Sequence, residues 1–481
     1  MSLHTNAAVS SPLPTGDSPT PGANQRVTRK HALRILLGVI LICILGAGYA
    51  LTHPDKMPEA VGNFIQEMTG INAHPIQLVR PPVGQLSAMA ELGREVFNDP
   101  SLSASGKQSC ASCHSAQHAY GPPNNLAVQL GGPDMTQPGY RPAPSLAYLY
   151  RQAVFSIGPD LNDNDAPVDL NATASAAQGV QRAVKTAGVA PAAPAMVPQG
   201  GFFWDGRANT LQQQAIGPLT NPVEMANTDA HAVAKKLLAT KYVDAFKRLF
   251  GPRIVNTPDM LVDEAMFAVA RYQFEDASFH EFSSKYDYWL EGKARLTRAE
   301  LHGLQLFNDP DKANCAGCHL SKPSGDGLPP MFTDTQYEAL GVPRNPHLAI
   351  NNDPKFFDMG VCGPFRSDIK DQTQYCGMFL TPTLRNTATR SVYFHNGVYT
   401  NLKQVMDFYN LRNTNPDKIY PKDASGKVMK YDDLPTQYQA NIDVADAPFD
   451  RKLGDKPAMT EDEINDIIAF IKTLNDGYKP E

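Results

Sequence analysis

Cysteine is scarce in this sequence, with only seven among 481 residues. That number is too small for a disulfide scaffold of this size, while the length is enough for two to four domains with ample core at roughly 100–200 residues per domain. Positive charge is not in excess either, since the formal net charge is −6. A general nucleic-acid-binding protein needs a basic face, so that class is excluded. With 42% hydrophobic and 19% charged residues, the chain is neither disordered nor fibrous.

Long regular elements are not expected, because proline is abundant at 40 residues, well above the usual share of about 5%. Proline removes a backbone donor and ends helices, so short helices and many loops should result. One helix start is clear near the C-terminus, where Thr460 and Glu463 have the spacing of a capping box before an apolar helical pattern.

A long uncharged run lies near the N-terminus, from Ile35 to Leu51, behind a basic segment. At 1.5 Å per residue it spans about 26 Å as a helix, close to the ~30 Å hydrocarbon core of a bilayer. We predict a disordered cytoplasmic tail over residues 1–32 and a transmembrane helix over residues 33–52, with everything after it exported. The alternative is a signal peptide cleaved near Ala50, which would leave a soluble periplasmic protein.

Four of the seven cysteines lie in two Cys-x-x-Cys-His motifs. This motif is typical of covalent haem c attachment, in which both thiols form thioethers and the histidine binds the iron. A zinc site or a redox dithiol is disfavoured, because zinc needs four protein ligands and a dithiol does not need a histidine in both copies. The sequence therefore predicts two covalently bound haem c groups. The predicted attachment residues are Cys110, Cys113 and His114 in the first motif and Cys315, Cys318 and His319 in the second.

A similar stretch precedes each motif and indicates an internal repeat. Residues 93–100 are Gly-Arg-Glu-Val-Phe-Asn-Asp-Pro, and residues 303–310 are Gly-Leu-Gln-Leu-Phe-Asn-Asp-Pro. Each copy has apolar residues at helical spacing, and each predicted helix stops at the Asn-Asp-Pro segment. We predict a mainly α fold with two cytochrome c-like haem domains and long loops, over residues 75–290 and 291–478.

Four further motifs resemble those of the bacterial di-haem cytochrome c peroxidase and MauG family. They are Phe-Phe-Trp-Asp-Gly-Arg at Phe202–Arg207, a Gln-to-Met segment at Gln214–Met225, Thr-Pro-Thr-Leu-Arg-Asn at Thr381–Asn386 and Tyr-Phe-His-Asn-Gly at Tyr393–Gly397. The motifs are long and occur in the family's order. The resemblance covers most of residues 80–476.

The resemblance implies roles for four residues around the N-terminal haem. Glu224 would be the acid/base that moves a proton between the two peroxide oxygens, and burial beside haem would raise its pKa toward the working pH. Gln214 would form hydrogen bonds in the same pocket, and Pro218 would shape the distal wall. Trp204, one of two tryptophans in the chain, would lie between the haems and help electrons cross.

Two departures from the family pattern concern the sixth ligand of each iron. Peroxidases that need reductive activation carry a histidine about sixteen residues after the first motif, whereas here that position after His114 is Leu130. We therefore predict an N-terminal haem that is open without prior reduction. Fourteen residues after His395, peroxidases have methionine; here the residue is Tyr409, as in MauG, with Met406 as the competing ligand. Tyrosinate is a hard anionic donor and would lower the haem potential, whereas methionine would raise it.

Two other family features are altered. MauG oxidises a partner enzyme through a surface tryptophan just before its second motif, but here an alanine and an asparagine stand there, so maturation of methylamine dehydrogenase is not expected. The family's inter-haem calcium uses an asparagine after an arginine and a threonine carbonyl. Here Pro142 follows Arg141, and Arg390 replaces the threonine, which leaves Ca²⁺ as an option through backbone oxygens and water.

Three cysteines lie outside the haem motifs. Cys362 and Cys376 are fourteen residues apart in a glycine-rich loop, and in an exported protein a disulfide between them is the natural expectation. Cys43 lies in the apolar N-terminal run, where it would act as a small apolar residue.

The sequence thus predicts a di-haem peroxidase that reduces hydrogen peroxide to water with electrons from a small periplasmic donor, such as a c-type cytochrome or a cupredoxin. One alternative is a MauG-like oxidase that uses a high-valent di-haem state on a protein or organic substrate. The other is an electron-transfer cytochrome without catalysis. We expect a single-pass protein of the bacterial inner membrane with its catalytic part in the periplasm, and a homodimer is kept as an option by analogy with the family.

Overall fold

The computed structural model describes residues 59–159 and 196–480. The tail predicted at residues 1–32 and the transmembrane helix predicted at 33–52 lie outside the described residues. Within the described ranges, no helix is long and apolar enough to cross a membrane. The chain separates into two compact units, Met1–Phe64 and Ile65–Glu481. Both Cys-x-x-Cys-His motifs belong to the second unit, while the first helix begins in the first unit.

Short helices separated by loops dominate the described residues, which confirms the prediction of a mainly helical fold. The α-helices are α1 Glu59–Thr69, α2 Ala88–Phe97, α3 Cys110–Cys113, α4 Leu211–Thr220, α5 Ala230–Leu238, α6 Val243–Phe250, α7 Pro258–Glu275, α8 Lys285–Leu290, α9 Arg298–Asn308, α10 Leu402–Leu411 and α11 Glu461–Lys472. The antiparallel strand pairs are β1 Leu130–Gly131 with β2 Gln137–Pro138, β3 Ser156–Pro159 with β4 Met196–Gln199, and β5 Tyr337–Glu338 with β6 Phe379–Leu380.

The internal repeat appears as two equivalent helix crossings, one in each of two hydrophobic cores. Helix α2 packs on α7, and a Cβ at Gly93 would lie 1.9 Å from the carbonyl oxygen of Ala268. Helix α9 packs on α11, and a Cβ at Gly303 would lie 2.0 Å from the carbonyl oxygen of Asp466. Only glycine allows this approach, so the first residue of each repeat copy sets the helix contact. The domain division at residues 290 and 291 stays a prediction.

A buried ion pair ties the loop Thr381–Asn386 to helix α8. The Arg385 guanidinium donates to both carboxylate oxygens of Asp287, at 2.9 and 2.7 Å, and both side chains are fully buried. Burial alone would raise the pKa of Asp287, but the charge and hydrogen bonds of Arg385 outweigh it and hold that pKa below its usual range. Such a bidentate pair fixes both position and orientation of the loop.

A disulfide joins Cys362 and Cys376, with 5.0 Å between their Cα atoms. It closes the loop that begins after Asp358 and ends before Phe379. Gly360 and Met378 form a backbone bridge inside the same loop. The disulfide therefore secures the backbone on which Asp358 and Phe379 are placed.

Candidate functional site: two haem cavities

The first Cys-x-x-Cys-His motif forms a short helix followed by a half-buried histidine. Cys110 and Cys113 are the ends of α3 and are not joined to each other. His114 Nδ1 lies 3.0 Å from the carbonyl oxygen of Tyr120, to which it donates. Burial lowers the pKa of His114 to about 4, so the imidazole is neutral. With its proton on Nδ1, the ring keeps a lone pair on Nε2, as an iron ligand requires.

The second motif repeats this arrangement. Cys315–Gly317 forms one turn of 3₁₀ helix, and His319 Nδ1 donates to the carbonyl oxygen of Phe332 at 3.0 Å. Burial again lowers the pKa of the histidine to about 4. Tyr120 and Phe332, the two residues that supply the carbonyls, both have positive φ, 55° and 52°. The sequence did not reveal them, because they lie six and thirteen residues after their histidines and act through the backbone.

Each motif opens into a large cavity. The first measures about 1130 Å³ and the second about 2290 Å³, both counting space open to solvent. Burial raises the pKa of Cys110 and of Cys315 to about 12. Neutral thiols and a neutral histidine beside a large cavity fit covalent haem attachment and do not fit a reactive, low-pKa dithiol.

The distal residues expected from the sequence come together in the first cavity. Gln214 and Pro218 line it from helix α4, and Glu224 lines it from the turn that follows. That turn is held by hydrogen bonds from Glu224 N to Asn221 O, 3.0 Å, and from Met225 N to Pro218 O, 3.1 Å. The structure therefore assembles the predicted group of side chains around the first motif.

The electrostatics of Glu224 suit proton transfer. Burial raises the pKa of its carboxyl group, and the Arg207 charge and a hydrogen bond with Asn221 limit that rise. Arg207 lines the same cavity and is held by Asp205, to which it donates at 2.9 Å. A carboxyl group whose pKa is shifted toward neutrality by burial is what general acid/base chemistry requires.

Trp204 lies between the two cavities, because this residue is part of the lining of both. Its indole Nε1 donates to Pro142 O at 3.1 Å, and its carbonyl accepts from Leu380 N at 3.0 Å. An ion pair links the same two walls: Arg141 lines the first cavity, Asp358 lines the second, and they are joined by hydrogen bonds of 2.6 and 2.7 Å. Sequence reasoning missed Asp358, which lies far from every motif.

The loop that would carry an activating histidine packs on Glu224. Leu130 is 44% exposed and Gly131 lies directly on the turn, so that a Cβ there would be 2.3 Å from Val223 O. Gly132 N donates to Glu224 O at 2.8 Å. The loop therefore supports the backbone of the distal glutamate.

Both candidate ligands of the second iron line the second cavity. Tyr409 and Met406 lie one turn apart on α10, and both are among the cavity's lining residues. Burial raises the pKa of Tyr409 above its usual value, and the nearby thiols Cys318 and Cys315 raise it further. The Tyr409 ring also stacks on Phe449 with ring centroids 5.4 Å apart. Both Tyr409 and Met406 therefore lie where a ligand of the second iron could lie.

His395 is a second-cavity residue that sequence reasoning used only as a counting point. Its ring stacks on Phe379 at 3.5 Å, and its Nε2 has no hydrogen-bond partner among the described residues. Asp433 Oδ2 lies 3.8 Å from that nitrogen. A buried, unpartnered imidazole nitrogen in this cavity is consistent with a bound group there.

A helical fold with two such cavities, each beside a Cys-x-x-Cys-His motif, defines a c-type cytochrome with two haem sites. The family model for di-haem cytochrome c peroxidase matches residues 87–295. The methylamine utilization protein MauG of Paracoccus denitrificans is 31% identical over 404 residues, covering 82% of this chain and 90% of that protein. The cytochrome c551 peroxidase of Nitrosomonas europaea is 30% identical over 360 residues, covering 74% and 82%.

Solved structures agree with this match. The diheme peroxidase BthA from Burkholderia thailandensis has a TM-score of 0.68 at 33% identity, covering 83% of this chain and 89% of that one. The chain belongs to the di-haem cytochrome c peroxidase and MauG family. It is a peroxidase-type oxidoreductase of a periplasmic family, and the family implies two c-type haems, with hydrogen peroxide and cytochrome donors as reactants.

Gly131→Ala should disturb the distal glutamate from outside the cavity. The added Cβ would lie 2.3 Å from Val223 O and 2.8 Å from Glu224 Cα, so the turn must move. We expect a loss of about 1–3 kcal/mol in the free energy of unfolding and a slower reaction with peroxide. Urea denaturation and stopped-flow mixing measure the two effects. Gly84→Ala is the control, because nothing lies within 4 Å of its Cβ; equal behaviour of the two variants would contradict a supporting role of the loop.

Proposed function

We propose that this protein reduces hydrogen peroxide to water with electrons from a small periplasmic donor, a c-type cytochrome or a cupredoxin, and works without prior reduction. The observation that carries the proposal is the first cavity. It contains a half-buried glutamate, Glu224, with a raised pKa, and the loop where the family places an activating histidine is occupied by Leu130 and two glycines packed on that glutamate.

The reaction consumes one peroxide, two electrons and two protons and produces two waters. The haems, when bound through His114 and His319, supply the iron that binds peroxide and stores electrons. Glu224, as carboxylate, takes a proton from one peroxide oxygen and returns it to the other, which makes water the leaving group. Gln214 is buried in the same wall and orients the oxygen by hydrogen bonding, while Pro218 limits the space for solvent.

Electrons enter through the C-terminal site and cross at Trp204. Its indole is fixed by the hydrogen bond to Pro142 O, and the residue is part of both cavity walls. The paired charges of Arg141 and Asp358 cross the same boundary and hold the walls together. This arrangement supports a transfer route within the protein and favours catalysis over a pure electron carrier, since a carrier has no need for Glu224.

A MauG-like oxidase, acting on a protein or an organic substrate, is the second candidate, and Tyr409 is the observation that favours it. The Tyr409 phenol lines the second cavity near both cysteines of the second motif. As an iron ligand it would favour oxidised iron and slow the supply of electrons.

Mixing the purified diferric protein with peroxide, followed by a reduced cytochrome, separates the two functions. Rapid cytochrome oxidation without pre-reduction supports the peroxidase. A long-lived oxidised spectrum with negligible cytochrome oxidation supports the oxidase. Absence of any reaction with peroxide would leave the electron carrier and overturn both proposals.

Glu224→Gln should slow the peroxide reaction by roughly 10²–10⁴-fold, because the amide cannot carry the proton. In the parent protein the rate should fall as the pH drops through the pKa of Glu224, which burial places above the usual glutamate value. Arg207→Gln removes the charge that opposes this rise, so the acid limb should move to higher pH. pH–rate profiles by stopped flow measure both effects. If the pH–rate profile of Glu224→Gln were identical to that of the parent, Glu224 would not be the acid/base of the reaction.

Tyr409→Met should raise the reduction potential of the C-terminal haem, because methionine favours reduced iron more than tyrosinate does. Optical and EPR spectra with a redox titration measure the change. Met406→Leu is the matched control on the same helix. If Met406→Leu alters the spectrum and Tyr409→Met does not, the ligand is Met406.

The location and the remaining partners are also proposals. We propose that residues 33–52 anchor the chain in the inner membrane with the haem region in the periplasm; recovery of the mature protein in the soluble periplasmic fraction would favour cleavage instead.

A homodimer rests on family analogy and is checked by sedimentation. Calcium between the haem sites would need backbone oxygens and water, since within residues 59–159 and 196–480 no three His, Cys, Asp or Glu side chains converge on a metal position. Elemental analysis decides that point.

A further inference from the structure

A third cavity, the central chamber, adjoins both haem cavities. It measures about 1200 Å³, counting space open to solvent. It shares Pro144, Trp204 and Gln214 with the first haem cavity, and Trp204, Thr381 and Pro382 with the second.

The charges around the central chamber have one sign. Its lining includes two arginines, Arg151 and Arg390, and no aspartate or glutamate of the described chain. Arg151 is neutralised from outside by Asp326, at 2.6 Å. Arg390 has no carboxylate within ion-pair distance among the described residues, and its buried Nε has no hydrogen-bond acceptor there. The chamber therefore presents one uncompensated guanidinium.

Three other arginines of the described chain that are buried or nearly so have acceptors for their guanidinium groups, which Arg390 lacks. Arg385 pairs with Asp287, Arg141 pairs with Asp205 and Asp358, and the Arg412 guanidinium donates to the carbonyl of Leu340 at 2.7 Å and to that of Asp443. Burial lowers the pKa of Arg390 to about 10, which still leaves it charged at neutral pH. An unpaired charge in such a place is costly unless something binds it.

The position of Arg390 is fixed by the backbone around it. Its N–H donates to Thr387 O at 3.2 Å, and its carbonyl accepts from the Tyr393 hydroxyl at 2.7 Å. The side chain extends to the loop after the first motif, where its Nε is 3.9 Å from the Cβ position of Gly121. Gly121 adjoins Tyr120, whose carbonyl accepts from His114. Arg390 thus brings a positive charge from the C-terminal half to the first haem site.

We propose that the central chamber binds a carboxylate, held by the Arg390 guanidinium. The planar fork of arginine matches a carboxylate in two parallel hydrogen bonds, and a desolvated site strengthens them. The carboxylate has two sources: a propionate of a haem bound in an adjoining cavity, or a free organic acid that enters from solvent. The proposal does not depend on the peroxide chemistry, because either carboxylate can occupy the chamber whichever reaction the haems carry out.

The test uses the full-length holoprotein and three variants: Arg390→Gln, Arg390→Lys and Arg151→Gln. Arg151→Gln is the matched control, since it removes the other arginine of the chamber, whose charge is already paired. Acetate is the probe. Its binding is followed by the optical spectrum of the haems, and thermal unfolding and the two reduction potentials are measured with and without acetate.

Saturable acetate binding that is at least tenfold weaker in Arg390→Gln and unchanged in Arg151→Gln supports the chamber as a site for a free carboxylate. Absence of acetate binding, together with a lower unfolding midpoint and a lower potential of one haem in Arg390→Gln, supports a propionate as the occupant; Arg390→Lys, which keeps the charge but loses the fork, should lie between. An Arg390→Gln protein as stable as the parent or more so, with unchanged potentials and no acetate effect, overturns the proposal, because removing an unbound buried charge should not destabilise the fold. If Arg390→Gln does not fold, the same comparison of acetate affinity, midpoint and potential between Arg390→Lys and the parent decides.

Discussion

The region around the two haem cavities depends on one buried ion-pair network, in which Arg141 binds Asp205 and Asp358. Arg141 uses all three of its guanidinium nitrogens in these two contacts, at 2.6 to 2.8 Å, and all three side chains are buried or nearly so. Asp205 follows Trp204 directly in the chain. The ion pair between Arg141 and Asp205 therefore also helps to fix the position of the Trp204 indole. Because each charge is compensated, the buried network is rigid, and losing one member would leave its partners unpaired in a low-dielectric region.

The two halves of the described chain build their haem-attachment sites from the same structural features. A glycine opens each motif-bearing repeat where two helices touch, and a backbone carbonyl from a residue with positive φ orients each histidine. The halves differ where their chemistry differs. Glu224 and Gln214 occupy the first cavity, whereas Tyr409, Met406 and His395 occupy the second and much larger one.

Local signals in the sequence predicted the attachment residues and several helix boundaries. The Thr460–Glu463 capping box is confirmed. Helix α2 ends at Phe97, directly before its Asn-Asp-Pro segment, and α9 ends at Asn308, the first residue of the second segment, as expected. What could not be predicted depends on contacts between distant segments. The pairing of Arg141 with Asp358 spans 217 positions, and the carbonyls of Tyr120 and Phe332 have no side-chain signature. The isolation of Arg390 becomes visible only when its surroundings are known.

The disulfide between Cys362 and Cys376 has a consequence for how the protein is made. Six cysteines need opposite treatment in one oxidising compartment. Cys362 and Cys376 must be oxidised to a disulfide, which secures the loop between Asp358 and Phe379. The four cysteines of the haem motifs must stay reduced until haem is attached. In the folded chain, burial raises the pKa of Cys110 and Cys315 to about 12, which keeps the reactive thiolate rare. Cys110 and Cys315 are therefore held in the neutral, unreactive thiol form.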